Sequence, residues 1–332
     1  MMNILRLSAA RRVILCLLLA VAIVFLSPVE LSRRSEMPPV EPSISFAAVG
    51  DVLLDRGIAK KIKKNGLDWP FGKVGETIRS ADLAFCNLEC PLSAGGHKIT
   101  KFICFKADPK NLKCVSDAGF DIVSTANNHA LDAGRKGLIE TLRHLDEAGI
   151  AHAGSGPDLE AAKSPTVLEI NGVKVAFLAR NMLFPEGVWF RTDAPTIAGM
   201  DESRIESEVA DARSKADVVI VSLHWGVEYR KKPMDSQIVL GRKLIDAGAN
   251  LVIGHHPHCT QPVERYHGGV IAYSLGNFLF DSRNPVCMQT MILKCRLSKS
   301  GVSDLEIIPA RVKKWRPEVL KQDGQDAQDK ER

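Results

Sequence analysis

Aromatic side chains are scarce in this sequence, at 6% of residues, and they do not interleave with basic ones. That pattern excludes a nucleic-acid surface built on stacking and phosphate contacts. Charge is nearly balanced, with 44 Lys and Arg against 39 Asp and Glu for a net +5. The local run Lys60-Lys61-Ile62-Lys63-Lys64 reads as a solvated helix face. No Cys-x-x-Cys occurs among the eight cysteines, so a structural zinc site of that type is excluded. Cys16 sits in no lipobox, and the other seven are an odd number, so pairing in an oxidising compartment cannot be complete. Neither Ser222 nor Ser274 has the G-x-S-x-G setting of a serine hydrolase.

Hydrophobic residues make up 45% of the chain and charged ones 25%, enough for a sizeable core. Arg6, Arg11 and Arg12 precede an uncharged apolar run from Val13 to Leu26, which Ser27-Pro28 breaks. No A-x-A-like cleavage site follows. The expectation is an uncleaved signal anchor over 1–28, with the cytoplasm on its basic side and the bulk of the chain outside the cell membrane. Secretion after signal cleavage is the alternative. A polar, Pro-rich linker over 29–43 precedes one domain over 44–312, and 313–332 reads as a polar tail.

Within that domain one arrangement recurs. Phe46-Ala47-Ala48-Val49 ends on Gly50-Asp51, with Asp55 and Arg56 close behind; Ala81 to Phe85 leads to Asn87 and Glu89. Asp121 to Thr125 leads to Asn127-Asn128-His129, and Asp217 to Leu223 leads to His224-Trp225-Gly226 and Glu228. Leu251-Val252-Ile253 leads to Gly254-His255-His256-Pro257-His258, and Val270 to Tyr273 leads to Ser274 and Asn277. Six short apolar strands thus end in polar residues at the same strand end, where open α/β sheets place their ligands. Taken alone, Asp51 could be a helix cap or a metal ligand. Helical spacing over 109–118, 137–147 and 237–247 separates several strands, implying right-handed parallel crossovers. Asn171-Gly172 between two alternating runs predicts a β-hairpin, and hence a mixed sheet or two sheets.

His129, His224, His255, His256 and His258, together with Asp51, Asn87, Glu89 and Asn127 or Asn128, form a mixed nitrogen and oxygen set. Such ligands suit one or two divalent ions of the zinc, manganese or iron kind rather than copper(I) or an iron–sulfur cluster. His97, His144, His152 and His267 have no comparable context.

These blocks, in this order from Ile44 to Ile308, resemble the CapA family of poly-γ-glutamate capsule synthesis proteins, whose fold is similar to the calcineurin-like metallophosphoesterases. The resemblance implies an α/β/β/α sandwich, two mixed β-sheets flanked by helices, on an N-terminal membrane anchor. It implies Asp51, Asn128, His224, His256 and His258 as metal ligands, with Glu89 standing where such enzymes carry a bridging aspartate. His129 becomes the general acid or phosphate contact, with Asp51 and Glu89 at the catalytic centre. His255 is an additional candidate ligand, and no histidine lies near Asp51 in sequence. Asn87, Asn127, Trp225, Glu228, Asn277 and Arg56 are candidate substrate contacts; Asn277 could equally tie loops together. The implied partners are an anionic capsule polymer or its precursor, the membrane and other membrane subunits of a polymer synthase. Three functions remain open: a metal-dependent hydrolase or transferase, a non-catalytic polymer-binding or assembly subunit, and a metal-free acid–base enzyme such as an epimerase.

Overall fold

The computed structural model describes residues 41–183, 187 and 191–320. The anchor expected over 1–28, most of the linker and the end of the tail lie outside the described residues. Among the described residues no helix is long and apolar enough to cross a membrane.

Sixteen strands are present among the described residues. In chain order the first eight are β1 (Ser43–Val52), β2 (Leu83–Leu88), β3 (Ile122–Ser124), β4 (Ala151–Ala153), β5 (Ser155–Gly156), β6 (Thr166–Ile170), β7 (Val173–Asn181) and β8 (Thr196–Ile197). The rest are β9 (Val218–His224), β10 (Leu251–His255), β11 (Val263–Tyr266), β12 (Gly269–Ala272), β13 (Asn277–Leu279), β14 (Gln289–Ser298), β15 (Gly301–Lys313) and β16 (Arg316–Val319). One sheet runs β16-β15-β14-β1-β2-β3-β4 with β13 beside the end of β1, the other β11-β12-β10-β9-β7-β6. Both are mixed: β1 to β4 run parallel, and so do β7, β9, β10 and β12. Antiparallel strands close both edges of the second sheet and the β16 edge of the first, while parallel β4 forms the other. A short pair, β5 with β8, lies apart from both.

Alternation along the strands produces the layers, because successive side chains of a strand point to opposite faces. Phe46, Ala48 and Phe85 from the first sheet meet Val175, Phe177, Ile220 and Leu251 from the second in one apolar core. The opposite faces carry Ala47, Val49, Ala84 and Val123, which pack under Ile58, Ile62, Ile78, Val115 and Leu145 of the helices on that side. Ala176, Leu178, Val219, Val221 and Val252 likewise pack under Val209, Leu240 and Leu244. The order of layers is therefore helices, sheet, sheet, helices.

The expected helices are present as Lys113–Ala118, Gly134–Glu147 and Asp235–Asp246, the first led in by a 3-10 turn at Pro109–Leu112. Asn171 and Gly172 join β6 to β7 with φ of 50° and 80°, the pair of positive values that a two-residue hairpin turn needs. One boundary differs from expectation. The sheet continues past 312, since β16 pairs with β15 and buries Pro317 in a segment whose charged residues read as tail.

Candidate metal centre

All the parallel strands that carry polar ends point them the same way, so the two sheets deliver their chemistry to one edge of the sandwich. Register makes this concrete. Asp51 of β1 stands beside Asn87 of β2 and Asn277 of β13, and Asn87 beside Ser124 of β3. On the other sheet His224 stands beside His255. Bulges interrupt β1 against both β2 and β13 at Asp51, a device that re-aims a side chain at the end of a strand. His256 and His258 hold φ of 93° and 56°, left-handed values that cost a non-glycine residue about 1 kcal/mol or more and survive only where the surroundings enforce them.

Asp51, Asn87, Glu89, Asn127, His129, His224, His255, His256, His258 and Asn277 are all buried. His255 Nδ1 lies 3.2 Å from Asp51 Oδ1; His258 Nδ1 lies 3.3 Å from Asp51 Oδ2, and its Nε2 3.6 Å from Glu89 Oε1. Asn87 Nδ2 donates to Asp51 Oδ1 at 2.9 Å and to Glu89 Oε2 at 3.3 Å, bracing the two carboxylates. His224 Nε2 lies 3.0 Å from Asn128 Oδ1, joining the sheets across the site. Asn127 faces the other way, donating to Asn87 Oδ1 and the Leu88 carbonyl and accepting from the His129 backbone. Asn277 offers its carbonyl to His258 Nδ1 at 2.9 Å, which leaves Nε2 of that ring facing Glu89.

His129 is held by residues that no strand-end pattern marked. Its Nδ1 donates to Asp132 Oδ2 at 2.7 Å; that carboxylate also accepts from Lys101 Nζ at 3.1 Å and from the Phe105 backbone at 2.7 Å. Phe105 stacks on the ring with centroids 4.1 Å apart. A carboxylate only accepts, so the proton sits on Nδ1 and Nε2 is free toward Glu89, 4.0 Å away. The i, i+3 spacing of His129 and Asp132 was the available signal for Asp132. Lys101, 31 positions away in sequence, carried no signal of its pairing with Asp132.

Two candidates do not join the set. Trp225, expected to touch substrate, is wholly buried; it donates from Nε1 to the Tyr273 carbonyl at 2.9 Å and packs in the core beneath the helix Asp235–Asp246. Arg56 lies outside, its guanidinium 4.6 Å from the Phe105 ring centroid and ion-paired with Asp281. Glu228 is exposed, yet one of its oxygens groups with ring nitrogens of His256 and His258 within 4.8 Å. Asp51, Glu89 and His258 form a second group of this kind, fully buried.

Electrostatics separates the two carboxyls. Burial alone would raise Asp51, but the His255 and His258 rings 3.2 and 3.3 Å away outweigh it and hold Asp51 well below the usual carboxylate range. Glu89 is pushed well above its ordinary value by burial and by the charge of Asp51. Burial also works against a charged His258, but Glu89 and Asp51 overcome it and raise the ring to about 10. His256 is lowered to about 3 by burial and by His258, and His224 is lowered by burial and by His256. Neutral His224 and His256 and an ionised Asp51 already have the protonation states that a divalent ion requires, whereas His258 and Glu89 must each release a proton to bind one.

The fit to such an ion is tested by what the protein leaves unsatisfied. Asp51 Oδ2, Glu89 Oε1, both nitrogens of His255 and Nδ1 of His256 are buried without a hydrogen-bond partner. Buried polar atoms without partners are uncommon, and those of Asp51, Glu89 and His256 belong to residues that group with His258, each group's donor atoms within 4.8 Å of one another. Oxygen and imidazole donors so placed suit a divalent transition metal. The described cysteines are all unpaired and none joins the cluster.

The sequence matches the family described as bacterial capsule synthesis protein PGA_cap over residues 45–282. The PGA biosynthesis protein CapA of Bacillus subtilis is 31% identical over 298 residues, 88% of this chain and 78% of that protein. The capsule biosynthesis protein CapA of Bacillus anthracis is 28% identical over 312 residues, 90% and 76% of the two chains. Among solved structures, a putative 5'-nucleotidase from Staphylococcus aureus in complex with α-ketoglutarate superposes with a TM-score of 0.50 at 14% identity, covering 86% of this chain and 57% of that one. At that identity the likeness concerns the fold alone.

Proposed function

Because the chain belongs to the bacterial capsule synthesis protein family, we propose that it serves the assembly or export of an anionic capsule polymer through a divalent-metal-dependent hydrolase or transferase site. The observation that carries the metal is the group of buried, partnerless oxygen and nitrogen atoms on Asp51, Glu89, His255 and His256. Asp51, Glu89, Asn128, His224, His255, His256 and His258 would hold one or two ions. A bound divalent ion supplies Lewis acidity and an acidified water near neutral pH.

The protein's own residues do the remaining work. His129, its Nδ1–H held by Asp132, presents an unprotonated Nε2 to the centre; it can accept the proton of an attacking water there and, as the imidazolium that Asp132 stabilises, return it to a departing oxygen or nitrogen. Asn87 keeps the two carboxylates from drifting apart, and Asn277 orients His258. Phe105 and Phe280 pack on His129 and His258 and exclude water from one side. The reading also places the domain outside the cell membrane, tethered through the apolar run Val13 to Leu26 and working beside other membrane subunits of a polymer synthase.

One observation favours a second reading, a non-catalytic pocket for the end of an anionic chain. Asp51 and His258 already neutralise one another without an ion. Elemental mass spectrometry separates the two. Chain purified without chelator or added histidines should carry one or two equivalents of a transition metal, and a His256→Ala, His258→Ala variant should lose them. A folded parent that stays metal-free after incubation with zinc or manganese sinks the metal-dependent reading and leaves the second.

A further inference from the structure

Beside the site, on the far side of Phe105 and Phe280, lies a groove of about 560 Å³ lined by Arg56, Gly57, Lys60, Lys61, Lys64, Asp281 and Trp315. We propose that this groove is a second binding site, a track for the body of a carboxylate-bearing polymer whose end occupies the metal centre. The inference rests on the functional reading above and extends it from the reacting end to the rest of the chain.

The helix Arg56–Asn65 gathers more positive charge than its own stability favours, although Lys63 and Lys64 in its last turn suit the dipole. Ile58 and Ile62 form its buried stripe, while Arg56, Lys60 and Lys64 recur every four residues on another face. Like charges at that spacing repel, and Arg56 sets a cation at the positive end of the helix dipole. Its first turn holds no acidic residue, and Asp55 ahead of it caps nothing, accepting instead from the Lys106 backbone. Among the described residues Lys60 and Lys64 form no ion pair, and the one carboxylate in the groove, Asp281, is taken by Arg56. Cations gathered without counter-charge predict a counter-charge from outside the chain.

Position supplies the second argument. Arg56 lies on Phe105, whose ring stacks on His129, and Phe280 lies 5.0 Å from His258. A wall one phenyl ring thick therefore separates groove from site. From Arg56 the cations step away along the helix by about 6 Å per four residues, so Lys64 stands about 12 Å further on. A repeating polyanion is the ligand that uses evenly spaced cations leading away from a reaction centre; a single small anion would use one. Trp315 gives the groove an apolar floor under Lys61, 5.9 Å from its ring centroid. Gly57 lets the helix approach that floor, since a Cβ there would fall 2.8 Å from the Trp315 ring and 2.9 Å from Asp281.

The test uses the full chain and polyglutamate of defined length. A Lys60→Gln, Lys61→Gln, Lys64→Gln variant should bind a long polymer roughly tenfold more weakly than the parent. Its metal content and its binding of diglutamate should stay unchanged. A Lys174→Gln, Lys215→Gln, Lys299→Gln variant, with the same charge removed at the opposite ends of the strands, should bind the long polymer as the parent does. Equal loss in both variants reduces the effect to net charge and overturns the track, as does no loss in either. A parent that binds diglutamate but gains nothing from length overturns the track and leaves the function standing. A parent that binds neither overturns both.

Discussion

At the scale of single residues, the chemistry turns on protons placed by neighbours rather than on reactive side chains alone. Asp132 fixes the His129 tautomer because a carboxylate flanked by the Lys101 ammonium, with Nζ 3.1 Å from Oδ1, can only accept. An Asp132→Asn variant keeps the shape but can offer an amide N–H to Nδ1, so the proton moves to Nε2 and the outward nitrogen becomes a donor. Nitrogen-15 NMR of the imidazole should report Nδ1–H in the parent and Nε2–H in the variant, with metal content unchanged. Turnover of any substrate found for the parent should fall about a hundredfold or more. An unchanged tautomer would refute the assignment. Trp225 makes the opposite case. Sequence placed it next to His224 and so among the substrate contacts, yet adjacent residues on a strand end face opposite sides, and this one faces the core. Trp225→Ala should cost about 3–5 kcal/mol in denaturant unfolding while the folded fraction keeps its metal. Loss of metal with stability intact would return Trp225 to the site.

At the scale of elements, the legible part of this protein was its strand ends. Apolar runs of three to seven residues followed by Asp, Asn or His marked β1, β2, β3, β9, β10 and β12, and the site lies where those six terminate. Asn171-Gly172 marked its hairpin because only that turn chemistry fits two positive φ values in succession. What stayed hidden depends on contacts distant in sequence. Lys101 reaches Asp132 from a loop with no periodic signal, and β16 forms from charged residues because β15 offers an open edge. The lysine run read as a solvated face; its helix was recognised, but its neighbours Trp315 and Asp281 could not be. The closest approach between elements is equally unreadable from sequence. Gly50 of β1 lies so near the turn before β13 that a Cβ would fall 1.7 Å from the Gly276 carbonyl oxygen. Gly50→Ala must push β13 away from Asp51 and carry Asn277 with it. It should destabilise by about 3 kcal/mol or more in chemical denaturation and weaken metal retention together. A stable variant with full metal would show that the strand junction yields without disturbing the site.

For the whole molecule, the site is a store of opposing electrostatic terms whose sign depends on whether an ion is bound. Without metal, His258 is raised to about 10 from an ordinary 6.5 by Glu89 and Asp51, which outweigh its burial. A group raised on folding contributes stability that is complete below its unfolded value and disappears as pH climbs through the folded one. Glu89, also raised, acts in the same direction. His224 and His256 are lowered by burial and by neighbouring rings, so their contribution is complete above 6.5 and is lost as pH falls. Chelated protein should therefore be most stable near neutral pH and lose melting temperature between pH 6.5 and 10. Metal reverses the upper limb, because ligands must shed protons to bind it and affinity rises with pH. An ion at a hundredfold excess over its dissociation constant adds about 2.7 kcal/mol to the folded state. Scanning calorimetry across that range, with chelator and with zinc or manganese, should give curves that diverge as pH rises. Parallel curves would mean that His258 and Glu89 keep their protons with the ion present, and that neither is a ligand.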